Sequence, residues 1–526
     1  GIQQIDTEGV IAAAFNHRDS RAGDPDLHTH VVVSNKVSVI TPDGTRKWLA
    51  VDGTPLHKAI VSISEVYNSR LEAHLTEELG VRWEEVANKD IRKRPTRELV
   101  GIDRGVIEKF SKRRESIEAR TGQLAADFQA THGREPTAAE AFELAQQATL
   151  ETREKKHEPR SHAEQRTAWH QEAVNYLGGK RPLNSMLATT LRQRATVRTE
   201  PLTEQEVAQY AAAVVATVST SRSVFQINHV RAEADRKLRA AVVNDANGKR
   251  VAYTFAASIA DQAAEQIVAA VLANPDTIAV SSSAVDGEMS EPAMLRRRSG
   301  ESVYTTARTD TYTTTDVLAA ERRILNAASL VGGRTVESTD VDLALLEYAA
   351  NNNGRELNAG QAAMVREMAT SGRAVQLALA PAGTGKTTAM AVLSSSWTST
   401  GGHVVGLAPT ATAAAVLSED IGSTADTVDK LVWCVQLVRE KEAVAAAERE
   451  GRQYPHSQRF AAHDIEDLPD WFWKIGPDSM LIVDEAGMVG TGNLDELIAF
   501  ANGKGAAVRL VGDDRQLASI SAGGVL

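Results

Sequence analysis

The stretch Ala380-Pro381-Ala382-Gly383-Thr384-Gly385-Lys386-Thr387 constrains this chain more than any other. It follows the apolar run Val375 to Leu379 and precedes a helical pattern through Met390 and Leu393, which is the strand, loop and helix context of a phosphate loop. Glycines in such a loop let backbone N–H groups turn inward around phosphates, and the N-terminus of the following helix adds its dipole. On this reading Ala380, Gly383, Thr384, Gly385, Lys386, Thr387 and Thr388 bind ATP. Lys386 reaches the β- and γ-phosphates, and the Thr387 hydroxyl ligates Mg²⁺.

The surrounding block, from about Leu357 onward, alternates apolar strands with helices: Val375 to Leu379, Val404 to Leu407, Met480 to Val483 and Val508 to Val511. Alternation of that kind implies a parallel sheet with its nucleotide chemistry at the carboxyl ends of the strands. At one such end stand Asp484 and Glu485, one carboxylate for the magnesium shell and a second to orient and deprotonate the attacking water. At another, Gly512-Asp513-Asp514-Arg515-Gln516-Leu517 places Gln516 to hydrogen-bond the γ-phosphate. Upstream, the amide of Gln361 has the paired donor and acceptor needed to read an adenine edge, although a glutamine on a plain helix surface looks the same in sequence.

Taken in order, these segments resemble the RecD/TraI-like superfamily-one helicases over about Leu357 to Leu526. The shared features are the adenine-reading Gln361, the phosphate loop, the segment Ala408-Pro409-Thr410-Ala411-Thr412, Asp484-Glu485, and Gly512-Asp513-x-x-Gln516-Leu517. Ala380 stands where many relatives have glycine, a variant the pattern tolerates. The resemblance implies that Thr410 and Thr412 contact DNA and that Lys386, Asp484, Glu485 and Gln516 serve ATP hydrolysis, with 5′ to 3′ unwinding. It also implies a second RecA-like domain carrying arginine fingers. The sequence stops ten residues after Gln516, so the expectation is nucleotide binding with negligible turnover, since such a finger is worth about 10³ to 10⁵ in rate.

Chain length and composition set the frame around this block. At 526 residues there is room for about three to four domains, and 42% apolar with 24% charged residues is the balance of a packed globular protein. No apolar run approaches the ~20 residues that span a bilayer. Cys434 is the only cysteine, which excludes a disulfide framework within the sequence, and the cytoplasm is the default location. A net charge of −11 opposes a whole-surface attraction to nucleic acid, yet leaves room for a local channel.

The first residues read as a hairpin: Val10 to His17, a turn at Ala22-Gly23-Asp24-Pro25, then Leu27 to Val33. His28 and His30 share one strand face, and the hairpin brings His17 beside them. Three neutral imidazoles can hold one divalent cation and leave positions open for a phosphate oxygen. Zinc, manganese, magnesium and nickel are not separable from sequence, and a lone His-x-His also fits a surface role. After Pro55, apolar residues from Ile60 to Leu75 recur at helical spacing until Gly80 stops the helix. Arg92 to Arg198 reads as charged and mostly helical, with breaks at Gly178-Gly179 and Pro182, and Val242 to Thr315 carries the least information.

The wider string from Phe15 to Asn35, holding His17, His28 and His30, resembles the metal motif of MobF-class conjugative relaxases, the TraI/TrwC/TraA group. That resemblance implies single-stranded DNA at a conjugative plasmid origin as substrate, with relaxosome and coupling proteins as partners and no membrane insertion. It further implies a nucleophilic tyrosine upstream of the triad and an orienting aspartate on an earlier strand. None of the sixteen residues before His17 is tyrosine, so this chain is expected not to nick. The expected class is multidomain α/β and α: residues 1–130 a partial relaxase sheet with helices, 131–204 a helical connector, 205–345 a mixed α/β region, and 346–526 a RecA-like parallel sheet flanked by helices. Two other readings stay open: a stand-alone RecD-like repair helicase with incidental histidines, and a degenerate module that binds ATP and single-stranded DNA.

Overall fold

A computed structural model of the chain describes residues 4–41, 44–88, 94–132, 136, 138–153, 160–191, 193, 195–244, 250–280, 292, 295–298, 300–305, 310–381, 384–452 and 463–512. The chain divides into two compact units, Gly1–Tyr210 with Arg231–Val268 and Gly287–Thr309, and Ala211–Val230 with Ala269–Asp286 and Asp310–Leu526.

The first unit opens with β1 (Ala12–Asp19) and β2 (Pro25–Val33), an antiparallel hairpin, followed by a second hairpin, β3 (Lys36–Ile40) and β4 (Arg46–Ala50). Helix α1 (Thr54–Leu79) begins with proline in its first turn and ends on Gly80 at φ 67°, a left-handed cap that glycine takes without the steric penalty of a β-carbon. A third antiparallel pair, β5 (Trp83–Val86) and β6 (Thr96–Leu99), leads into α2 (Arg104–Lys109), α3 (Lys112–His132), α4 (Ala138–Glu151), α5 (His162–Tyr176) and α6 (Lys180–Leu191). Gly178 and Gly179 make the break the sequence suggested, both at positive φ. Pro182 does not break the chain. It lies in the first turn of α6, where its missing N–H has no helical acceptor to lose.

Helix α1 departs from the expected amphipathic pattern. Its buried stripe is polar, Ser62, Ser69, Glu72 and Thr76, while Ile60, Ile63, Tyr67 and Leu71 are exposed. Ion pairs explain the polar side: Arg97 and Arg239 reach Glu72 at 2.8 and 3.1 Å, and Arg236 reaches Glu65 at 2.7 Å. A buried carboxylate is tolerated when paired in this way.

Then come β7 (Thr196–Arg198), α7 (Glu204–Ser221), β8 (Phe225–Gln226), α8 (Ile227–Arg239), β9 (Val242–Asn244), β10 (Arg250–Phe255), α9 (Ala257–Ala273), β11 (Thr277–Ala279) and β12 (Thr311–Thr314). Strands β7, β10 and β9 form one small sheet in the first unit, and β11, β12 and β8 form another in the second. The stretch from Glu204 to Arg239 is therefore two helices, interrupted where Phe225 and Gln226 pair with β12.

The second unit continues through α10 (Thr315–Ala328), α11 (Ser338–Asn351), α12 (Ala359–Thr370), β13 (Val375–Leu379), α13 (Lys386–Ser399), β14 (His403–Ala408), α14 (Ala411–Ile421), β15 (Ala425–Thr427), α15 (Val428–Arg449), α16 (Asp470–Trp473), β16 (Ser479–Val483), α17 (Thr491–Lys504) and β17 (Ala507–Gly512). Its sheet is parallel throughout, in the order β13-β17-β16-β14-β15. Alternate residues of each strand enter opposite cores. Leu481, Val483, Val508 and Leu510 pack with α15 and α17, whereas Met480, Ile482, Ala507 and Val511 pack with α12, α13 and α14. A sheet covered on both faces needs near-continuous apolar strands, which is why these four segments stood out in the sequence. The three-residue β15 was not legible because it carries a single small apolar residue between polar ones.

Candidate metal centre and nucleotide site

On the first hairpin, His17 pairs directly with His28 and Phe15 with His30, so the three imidazoles project from one face. Ring centroids lie 4.6 to 5.3 Å apart, and one ligand nitrogen from each ring lies within 4.8 Å of the others. Two bonds of about 2.1 Å to a shared ion span up to about 4.2 Å, so small side-chain rotations close the set. His28 Nδ1 is 2.8 Å from the carbonyl oxygen of Asp26. That contact assigns the proton to Nδ1 and leaves Nε2 as the free lone pair, the usual outer support of a metal-binding imidazole. His17 and His30 are exposed, which keeps the site open to a large substrate. Among the described residues this is the one group of histidines, cysteines or carboxylates arranged to share an ion.

The hairpin tip that sets this register is tied down by distant helices. Gly23 at φ 79° makes the turn. Asp24, 2% exposed, accepts the backbone N–H of Lys112 at 3.0 Å at the start of α3, and Lys112 Nζ sits 3.1 Å from its other oxygen. Trp169 Nε1 of α5 donates to the Gly23 carbonyl at 2.8 Å. In the basic cluster Lys112-Arg113-Arg114, Lys112 is thus engaged by Asp24 and Glu172. Asp24 was visible in the sequence only as a turn residue, and Trp169 carried no signal at all.

In the second unit, Ala380 N–H bonds the Gly512 carbonyl at 3.0 Å, continuing the β13–β17 pairing into the loop. Gly385 caps α13 at φ 75°. Lys386 Nζ is buried with no hydrogen-bond partner among the described residues, a cation at the place a phosphate needs one. Thr387 and Thr388 occupy the first turn of α13, and Thr384 Oγ donates to the Pro381 carbonyl at 2.7 Å. Asp484 ends β16, where burial raises its pKa above the ordinary carboxylate range, partly offset by the Glu485 N–H and by Lys386. Glu485 takes a left-handed φ of 49°, a strained conformation for a non-glycine residue and one that gathers at functional sites. These groups fit a magnesium-bound triphosphate: a free ammonium, a hydroxyl and a carboxylate at the carboxyl end of a parallel sheet. Gly383 and Gln516 lie outside the described residues.

Gln361 sits on α12 facing the loop. Its Oε1 accepts the Asn358 N–H at 2.9 Å, closing a capping box, and its Nε2 donates to the carbonyls of Thr384 and Gly385 at 2.9 and 3.3 Å. A cavity of about 530 Å³ opens beside it, lined by Met364, Leu377, Leu379, Thr384 and Lys386. Thr410 caps α14 by accepting the Ala413 N–H at 3.2 Å, and Thr412 is exposed in its first turn. Among the tryptophans of this unit, Trp471 is a core residue, Trp433 packs partly buried under Lys430, and Trp473 is half exposed.

No helix among the described residues is long and apolar enough to cross a membrane. The family model of the TrwC relaxase matches residues 1–176, and that of an AAA domain matches residues 356–526. The first match runs through α5, whose Trp169 holds the hairpin tip. A search of curated proteins finds no match to the chain. With a relaxase domain bearing the histidine cluster and a helicase-type AAA domain bearing the phosphate loop, the chain matches a MobF-class relaxase-helicase.

Proposed function

We propose that this chain is part of a conjugative relaxase-helicase that nicks single-stranded DNA at a plasmid origin and unwinds the plasmid 5′ to 3′ with ATP, in the cytoplasm and alongside relaxosome and coupling proteins, and that it contributes the histidine centre and the ATP site. The convergence of the His17, His28 and His30 nitrogens within 4.8 Å on an open hairpin face carries the nicking half of this reading. A divalent cation held there supplies Lewis-acid polarisation of the scissile phosphate. The reaction served is a transesterification, in which a tyrosine oxygen bonds to phosphorus and the 3′ oxygen leaves with the electron pair, storing the bond in a 5′-phosphotyrosine. The hairpin's task is to aim three imidazoles at one point, with His28 fixed by the Asp26 carbonyl.

In the second unit Lys386 and the α13 N-terminus bind the β- and γ-phosphates, Thr387 and Asp484 hold Mg²⁺, and Glu485 activates the attacking water. Gln516 senses the γ-phosphate, while Thr410 and Thr412 touch the DNA strand. Binding of a fluorescent single-stranded oligonucleotide tests the nicking half. Mn²⁺ is expected to tighten binding, and His28→Ala to remove that gain while metal-free binding stays unchanged. Identical Mn²⁺ responses in both proteins overturn the reading.

A further inference from the structure

The hairpin carries an irregularity at the point where it matters. Register runs from His17 opposite His28 to Asp19 opposite Pro25, so that Arg18 of β1 faces two residues of β2, Asp26 and Leu27. Such a bulge bends a strand and re-aims its side chains, and left alone it is one of several registers open to a hairpin end. Here one side chain holds the two β1 residues opposite and beside it. Gln165, on α5 and 4% exposed, accepts from Arg18 Nε through its Oε1 at 3.0 Å and donates through its Nε2 to Asp19 Oδ2 at 2.8 Å. A side-chain amide serves a guanidinium and a carboxylate at once from one planar group, offering an acceptor to the first and a donor to the second.

We propose that Gln165 is a positioning residue of the histidine centre: by pinning Arg18, which faces the bulge, and Asp19, which closes it, it fixes the direction in which His17 leaves the strand. This rests on the reading of His17, His28 and His30 as a metal centre. On this proposal Gln165 acts through the strand. Outer-shell groups of this kind are typically worth 10- to 100-fold in metal affinity.

The test uses Co²⁺, whose visible absorption reports ligand geometry, titrated into the full chain at a temperature where circular dichroism shows every variant folded. Gln165→Leu is expected to weaken Co²⁺ at least tenfold and to change the absorption band, with the metal-free fold retained. Gln165→Glu keeps the acceptor for Arg18 and repels Asp19, so it is expected to fall between wild type and Gln165→Leu, and it decides the matter if Gln165→Leu does not fold. Wild-type affinity and spectrum in the folded variants, even with a lowered melting temperature, would make Gln165 a structural residue only and overturn the inference. If instead the wild type binds no Co²⁺, or His28→Ala binds it equally well, the metal-centre reading itself fails and takes the inference with it.

Discussion

Gln361 Nε2 occupies the space into which a β-carbon on Gly385 would project, and it donates there to the carbonyls of Thr384 and Gly385. One glutamine therefore joins the first turn of α12 to the phosphate loop, and the loop's last glycine is required twice over, for its φ of 75° and for this close approach.

Gly385→Ala is accordingly expected to weaken nucleotide binding at least tenfold. A left-handed alanine costs about 1–2 kcal/mol, and the collision with Gln361 adds to it. Titration with a fluorescent ATP analogue measures the loss, and circular dichroism checks that the sheet persists.

Asp484→Asn is expected to separate stability from function. Burial raises the folded-state pKa of this carboxyl above its unfolded value, so the fold favours the protonated form. The stabilising protonated state is present at low pH and lost as pH rises through the folded pKa, which makes the charged group a cost at neutral pH. The asparagine variant should melt at or above the wild-type temperature at pH 7 while its Mg²⁺-dependent nucleotide affinity falls.

His229 supplies a pH dependence in the opposite sense. Its Nδ1 accepts the Gln226 N–H at 3.0 Å, and burial lowers its pKa to about 4 from 6.5. A histidine held neutral in the fold contributes stability above about pH 6.5 that is lost as pH falls toward 4. Thermal melting across pH 7 to 4 should show a decline that His229→Gln reduces.

Arg509, fully buried on β17, should be among the most sensitive core positions. Its guanidinium donates to the backbone carbonyls of Met368 and Arg373 at 2.8 and 3.0 Å, and burial lowers its pKa to about 10. Arg509→Leu strands those acceptors, at about 1–3 kcal/mol each. Chemical denaturation is expected to show a loss of that size, with ATP binding weakened through α12, which Met368 shares with Gln361.

What the sequence disclosed follows from where each signal resides. The parallel strands were legible because burial on both faces requires unbroken apolar runs, and the hairpin because Gly23, Asp24 and Pro25 are turn chemistry. The exposed apolar stripe of α1 was not, since its periodicity is the same whichever side packs, and only the distant Arg236 and Arg239 decide which side does. Gln165 and Trp169 were equally hidden, each joined to the hairpin by a contact spanning 146 residues. Nor did sequence show that Gln361 is already engaged by the loop it precedes.

The account's central claim is that three histidines of a relaxase hairpin share one cation. Anomalous diffraction from Mn²⁺-soaked crystals of the chain tests it most directly. A single peak within bonding distance of nitrogens from His17, His28 and His30 is the predicted result; no peak there, with ordered imidazoles, would contradict it.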